Sequence, residues 1–462
     1  MTHSKSATLV AAVIIAAAAA IFFTPPPPGV AVNVMHTAGL LLLVMGLWAT
    51  GVLPEALTAL IFFALAVLLE VAKPEVIFSG FTSGTLWLVL GGLVIAEAVR
   101  MTGLGERIAR AALGTRVWSY PQLVTAAVLV AVLLAFLMPA TVGRILLLVP
   151  ILAAVAERHG LAPGTPGHTG VLFAVIVTSF QCGTAILPAN APNLVLAGAA
   201  ETLYGVQLIY AEYLWAQFPV MGVIKGALIA AIVCRVFPAQ TRAGGGSAAD
   251  LRPMSGQEKR LAVILLLSLA LWASDFVHGI RPGWIALAAA IVAMLPRIGA
   301  VPATLFQERI KFGSFFYIAA VLGLGAVMLD TGLSKAFGDA LLTVIRLEQG
   351  ADAANFITLT VLSTLASMIV TNPAQPALLS PLAGTFAEAA GWPIQAALMT
   401  AAVGFSTLLF PYQAPPVVVG MQLAALRVRD ALRLTVPLAL ISIVVLIPVH
   451  YLWWRLIGYF GG

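Results

Sequence analysis

Long apolar runs with few charges recur along the whole chain, over residues 7–23, 34–52, 54–72, 86–101, 168–200, 214–236, 260–275, 283–296, 313–331, 392–425 and 433–457. A bilayer crossing takes about 20 apolar residues, so each run reads as a membrane span. Backbone groups in hydrocarbon must pair within closed structures, which leaves helices or barrels; long unbroken runs, in place of short alternating segments, select helices. The expected fold is therefore an all-α polytopic membrane protein with about eleven transmembrane helices. Only 9% of the 462 residues are charged and 61% are apolar. That balance excludes a water-soluble globule.

The run after Lys5 has the look of a secretory signal as well. Its length and the stop at Thr24-Pro25-Pro26-Pro27-Pro28 favour a retained first span. The net charge of +6 reports topology and points to no nucleic-acid partner. Basic residues gather in a few short loops: Arg107, Arg110 and Arg116; Arg235, Arg242, Arg252, Lys259 and Arg260; Arg297, Arg309 and Lys311; Arg427, Arg429 and Arg433. The positive-inside rule puts these loops in the cytoplasm, with the N-terminus, while the C-terminus lies outside an inner (plasma) membrane. The two cysteines, Cys182 and Cys234, fall on different spans and suggest neither a disulfide frame nor a metal cluster.

Residues 120–157 and 355–390 do not read as plain spans. Each has two apolar arms, under about 18 residues long, meeting at a polar or proline-containing tip, so both are expected to be re-entrant helical hairpins. Between them lies one substantial polar linker, 238–258, with Gly244-Gly245-Gly246-Ser247. Comparing the halves on either side reveals a repeat. Met101-Thr102-Gly103-Leu104 matches Asp330-Thr331-Gly332-Leu333, the tip Met138-Pro139-Ala140-Thr141 matches Val370-Thr371-Asn372-Pro373, and Pro188-Ala189-Asn190-Ala191-Pro192 matches Pro411-Tyr412-Gln413-Ala414-Pro415. Corresponding positions are 223–232 residues apart. An odd number of crossings separates the copies, so they face in opposite directions. The chain divides into N-terminal scaffold spans (1–72), a first repeat (73–237), a cytoplasmic linker (238–258) and a second repeat (259–462). Inverted repeats, each with a hairpin and a proline-broken span, point to a secondary transporter with its site near the bilayer midplane.

The broken spans carry the plainest chemistry. Each proline removes a donor and frees a carbonyl one turn back, and unpaired backbone cannot face lipid, so both breaks must line a protein-enclosed cavity. The half-helix after each break then directs free N–H groups and a positive dipole end into that cavity, which suits an anion. Thr184, Asn190, Asn193 and Gln413 add polar side chains at the same level, and the tips add Thr141, Gly143, Thr371, Asn372, Pro373 and Gln375. Arg144, just past the first tip, and Lys225, near the middle of 214–236, are charges that need interior partners. Glu97 and a bound anion are the candidates. Arg144 is the better placed to hold a carboxylate or an oxyanion such as sulfate, through its planar fork.

The order Gly91-Gly92, then Thr102-Gly103-Leu104 with Arg107-Ile108-Ala109, a hairpin, and Gly183-Thr184 leading to Ala191-Pro192-Asn193 resembles the divalent anion:sodium symporter family, which carries dicarboxylates, citrate and sulfate. The resemblance implies an elevator-type exchange of site access, a homodimer, and sodium as a coupling ion with no other cofactor. It also implies sodium sites at Thr371, Asn372 and Ala414 and at Thr141, Gly183 and Asn193. The chain departs from the family's Ser-Asn-Thr tips: the first reads Pro139-Ala140-Thr141, and the second turn, Ala414-Pro415-Pro416-Val417, lacks its asparagine. Each implied sodium site thus loses a ligand. Arg144 suggests why, since a fixed guanidinium beside a bound dianion serves as the cation that sodium would otherwise supply.

The expected function is therefore secondary transport of a small anion, a di- or tricarboxylate before sulfate, with weakened sodium dependence. A cation/proton antiporter would need intramembrane carboxylates at the tips and breaks, which have none. An enzyme would need a nucleophile, acid/base set or metal site, and a P-loop is also lacking.

Overall fold

The computed structural model describes residues 5–113, 118–242 and 253–461, and among these every regular element is helical. Arg116, Arg252 and most of the glycine-rich linker, residues 243–252, lie outside the described residues. Among the described residues eight helices have the length and composition to cross a bilayer; four shorter apolar ones, Leu9–Phe23, Glu55–Leu68, Pro282–Met294 and Ile394–Phe405, accompany them.

The repeat is visible element by element. In the first copy the helix Gly84–Thr102 leads to the short amphipathic helix Leu104–Leu113, the hairpin Tyr120–Leu137 and Thr141–Arg158, the broken helix Pro166–Gln181 and Ala191–Tyr204, and a long helix, 210–236. In the second copy the same order reads Gly313–Asp330, Leu333–Leu342, a hairpin of Asp352–Ile369 and 375–390, the broken helix Ile394–Phe405 and Pro415–Leu423, and a long helix, 428–456. Even a π turn recurs, at Phe218–Ile224 and at Ser442–Leu446. The matched glycines have one job: Gly103 (φ 77°) and Gly332 (φ 82°) take the left-handed conformation that lets a span turn into a surface helix.

Hydrogen bonds establish that the copies are inverted. At the foot of the first hairpin, the Trp118 amide donates to His159 Nε2 at 3.1 Å and the Arg242 amide donates to the His159 carbonyl at 2.9 Å. Arg433 reaches the Val236 carbonyl at 3.4 Å, so the first hairpin and the start of helix 428–456 share one end of the molecule. At the foot of the second hairpin Trp392 donates to Asp352 at 2.8 Å, and Gln395 donates at 3.2 Å to Tyr459, beyond the far end of 428–456. The two hairpins therefore enter from opposite ends. Basic residues collect at the first: Arg107 pairs with Glu258 at 2.7 Å, and Arg260 donates to the Arg297 carbonyl at 2.7 Å.

The hairpin arms are longer than the sequence suggested, with 18 residues in each of Tyr120–Leu137, Thr141–Arg158 and Asp352–Ile369. Length alone would let them cross. They turn back because each tip abuts the interruption in a broken helix, halfway along it. Helix Pro166–Gln181 is buried from Gly167 to Gln181, as a helix apolar on all sides must be. Around it the copies interlock: Ala191–Tyr204 packs on Gly313–Asp330 and Ile394–Phe405, while Pro415–Leu423 packs on Thr141–Arg158 and Pro166–Gln181.

Candidate functional site

A helix that stops inside a protein leaves its last carbonyls without intrahelical donors and presents the negative end of its dipole. Both broken helices stop this way, and the chain answers twice with the same pair of groups, an asparagine amide and a buried cation. At the end of Pro166–Gln181, Asn190 Nδ2 donates to the Phe180 carbonyl at 3.1 Å and Arg144 Nη2 donates to the Ser179 carbonyl at 2.8 Å. At the end of Ile394–Phe405, Asn372 Nδ2 donates to the Phe405 carbonyl at 2.9 Å and Lys225 Nζ donates to the Ser406 carbonyl at 2.5 Å. Arg144, Lys225 and Asn372 are fully buried and Asn190 nearly so.

Arg144 closes the first tip onto the first break. Its guanidinium also donates to the Met138 carbonyl, to the Ala189 carbonyl at 3.0 Å and to Thr141 Oγ1 at 3.1 Å. Thr141 in turn donates to the Ala189 carbonyl at 3.1 Å or to Asn190 Oδ1 at 3.2 Å. Gly183 is required here, since a Cβ on it would stand 2.9 Å from Arg144 Nη2. No carboxylate among the described residues lies within ion-pairing distance of Arg144 or Lys225. Glu97, expected as a partner, is instead bound by Arg100 one turn along its own helix. At i,i+3 the two are surface neighbours, whereas the interior cations are held by another part of the fold.

Other expected residues sort into braces and free groups. Gln413 is a brace: its carbonyl oxygen accepts from the Leu409 and Phe410 amides, its amide donates to Ser367, and its main-chain carbonyl accepts from the Asn372 amide at 2.7 Å. Thr184 caps its own turn through the Gln181 carbonyl at 2.6 Å, and Gln375 donates to Ser363 at 2.7 Å within its own hairpin. Pro373 is buried beside them, while Thr371 and Gly143 are half-buried. Asn193 donates to the Gly183 and Ile186 carbonyls at 3.1 and 2.8 Å, yet its Oδ1 has no protein partner; neither has Oδ1 of Asn372. These two oxygens, one from each repeat, are buried polar atoms that still need a partner.

The donors expected of both second half-helices are present in only one. In the first turn of Ala191–Tyr204, the amides of Ala191 and Asn193 precede the first intrahelical bond. Pro415–Leu423 begins with two prolines, which have no N–H, and the Val417 amide is taken by the Ala414 carbonyl at 2.9 Å. Each break therefore has one buried cation, and the first adds the free amides of Ala191 and Asn193 to Arg144.

A sequence profile of the sodium:sulfate symporter transmembrane region matches residues 3–460. The chain belongs to the sodium:sulfate symporter family. A membrane protein of Cupriavidus necator is 25% identical over 393 residues, 82% of this chain and 76% of that protein. The L-tartrate/succinate antiporter of Escherichia coli is 21% identical over 393 residues, 81% of this chain and 79% of the antiporter. In fold, the YdaH transporter of Alcanivorax borkumensis aligns over 93% of this chain and 99% of its own, with a TM-score of 0.56 at 16% identity. The protein is thus a membrane transporter by family.

This symporter-family chain also holds site residues that pattern reading passed over. Gln181 is buried with neither amide atom partnered, Ser406 binds Lys225, and the Thr407 hydroxyl is unpartnered. Their signal was position: all three flank the point where a broken helix stops, six or seven residues before the first proline of the break.

Proposed function

We propose that the protein is a secondary transporter of a small dianion, a dicarboxylate before an inorganic oxyanion, in which the Arg144 guanidinium does the work of a sodium ion at the first tip. One observation carries the reading: Arg144 is surrounded by the Met138, Ser179 and Ala189 carbonyls and the Thr141 hydroxyl, with no carboxylate. Neutral oxygens around one positive charge are what a bound sodium ion would have, and they leave that charge for an anion to neutralise. The sodium ligands implied at Thr141 and Gly183 face a position the guanidinium already fills. For Thr371, Asn372 and Ala414, the buried Asn372 side-chain oxygen accepts no hydrogen bond, while Lys225 takes the adjacent Ser406 carbonyl.

Dicarboxylate comes first because relatives across 81% of the chain are L-tartrate/succinate antiporters, and exchange suits a carrier whose charge never leaves the site. In this reading the hairpins and broken helices move together against the remaining spans as an elevator, in a homodimer within the inner membrane, the basic end and N-terminus in the cytoplasm and the C-terminus outside. The division into 1–72, 73–237, 238–258 and 259–462 follows the same scheme. A thermal-shift screen in detergent tests it, using tartrate, succinate, citrate, sulfate and phosphate in sodium or in choline. A ligand that binds the folded state raises the melting temperature by mass action. The expected result is stabilisation by a dicarboxylate in choline as in sodium; stabilisation only in sodium would overturn the role given to Arg144.

A further inference from the structure

Lys225 differs from Arg144 in one chemical respect: an amine can give up its proton and a guanidinium in a protein does not. Its surroundings suit a group that does so. The side-chain nitrogen is fully buried and bonds Ser406, through the carbonyl at 2.5 Å and the hydroxyl at 3.2 Å, and Met221 Sδ at 4.0 Å. It directly follows the π turn Phe218–Ile224, the kind of helix defect that gathers at functional sites.

The groups facing it come from three elements. The Cys182 thiol of the first break and the His450 ring of helix 428–456 lie within its electrostatic reach, and neither ring nitrogen of His450 has a partner. Ser406 closes the second break. The other packed elements carry their titratable groups towards their ends: Tyr120 on hairpin arm Tyr120–Leu137, His168 on Pro166–Gln181 beside Glu157, and on helix 428–456 Asp430, paired with Arg427, and Arg433, which reaches Val236. Along its own helix Val236 is roughly 16 Å from Lys225 at 1.5 Å per residue. Beside each contact stands a buried polar group lacking a protein partner: Gln181 next to Cys182, Thr407 next to Ser406, and Asn372 Oδ1, whose amide holds Phe405. Unpartnered groups in that arrangement are where interior waters bind, and waters carry protons.

Resting on the dianion reading above, we propose that Lys225 is the proton-binding residue of the transport cycle. The amine accepts a proton from the buffered solution, relayed by interior water, when the anion binds and returns it to the solution when the anion leaves, so charge is balanced at the second break without sodium. Anion and proton then favour each other's binding by the same factor.

The test is calorimetric titration of the purified full-length protein with L-tartrate at pH 7, where both tartrate carboxyls are ionised. It is run in Tris and in HEPES, buffers of different ionisation enthalpy, so that proton uptake appears as a difference in heat. Wild type is expected to take up a measurable fraction of a proton per tartrate, and the uptake should vanish towards lower pH as the amine becomes charged beforehand. Lys225→Arg keeps the charge and should bind tartrate with no buffer-dependent heat. Should that variant not fold, Ser406→Ala, which removes one of the two acceptor atoms, is expected to move the pH midpoint of uptake. Tartrate binding with no proton uptake in wild type between pH 6 and 9, or equal uptake in Lys225→Arg, overturns the proposal while leaving anion binding intact. Failure of tartrate, succinate and sulfate all to bind removes the dianion reading, and this inference with it.

Discussion

Replacing Arg144 with alanine separates a structural cation from one that stands in for sodium. The substitution leaves Met138 and Ser179 carbonyls without donors, while Ala189 keeps the Thr141 hydroxyl. Two orphaned buried acceptors cost about 2–6 kcal/mol at 1–3 kcal/mol each. Against this, removing a buried charge that has no carboxylate recovers several kcal/mol of desolvation. The terms are of one size, so stability in choline decides little. Sodium decides more. The vacated space is lined by three carbonyls and a hydroxyl, hard oxygen ligands for a small cation, and the variant should gain a sodium site that wild type lacks. At about 100 mM sodium and a dissociation constant of about 10 mM, binding contributes about 1.4 kcal/mol. Thermal unfolding in detergent, sodium chloride against choline chloride, reads the difference. Stabilisation of the variant by sodium with no effect on wild type is expected. A variant indifferent to sodium, or a wild type stabilised as strongly, would refute the surrogate argument.

Three further outcomes follow from the same geometry. Gly183→Ala puts a Cβ within 2.9 Å of Arg144 Nη2, and the displaced guanidinium should cost about 1–3 kcal/mol in thermal stability, with tartrate binding weakened alongside. Asn372→Ala removes the donor to the Phe405 carbonyl and should destabilise by about 1–3 kcal/mol; an unchanged melting curve would mean that water replaces the amide without loss. Glu201→Gln keeps the shape but cancels the charge that holds Arg281 at 2.6 Å and accepts from Ser83, Gly84 and Thr85 across to the start of Gly84–Thr102. Wild-type stability should fall with added salt by more than that of the variant, because the arginine is 42% exposed and open to screening.

The spans were legible because hydrocarbon tolerates so few alternatives: runs expected at 34–52, 86–101 and 313–331 are helices Val32–Thr50, Gly84–Thr102 and Gly313–Asp330. The repeat was legible because turn chemistry survives in short motifs, as at Gly103 and Gly332. Pairings across the fold were not. Lys225 and Ser406 are 181 residues apart, and nothing in either segment names the other. Glu97 was a candidate partner for the interior cations alongside a bound anion, but Arg100, one turn away on the same face, holds it. Free amides were expected after both breaks from dipole reasoning, but Pro415 and Pro416 occupy the positions that would carry them.

The account turns on an anion being carried by a site whose positive charge belongs to the protein. Counterflow of labelled succinate into proteoliposomes preloaded with unlabelled succinate, with every sodium ion replaced by choline, measures this directly. Undiminished exchange in choline, abolished by Arg144→Ala unless sodium is restored, is the result expected. Exchange that falls to the level of empty liposomes when sodium is withdrawn from the wild-type protein would contradict it.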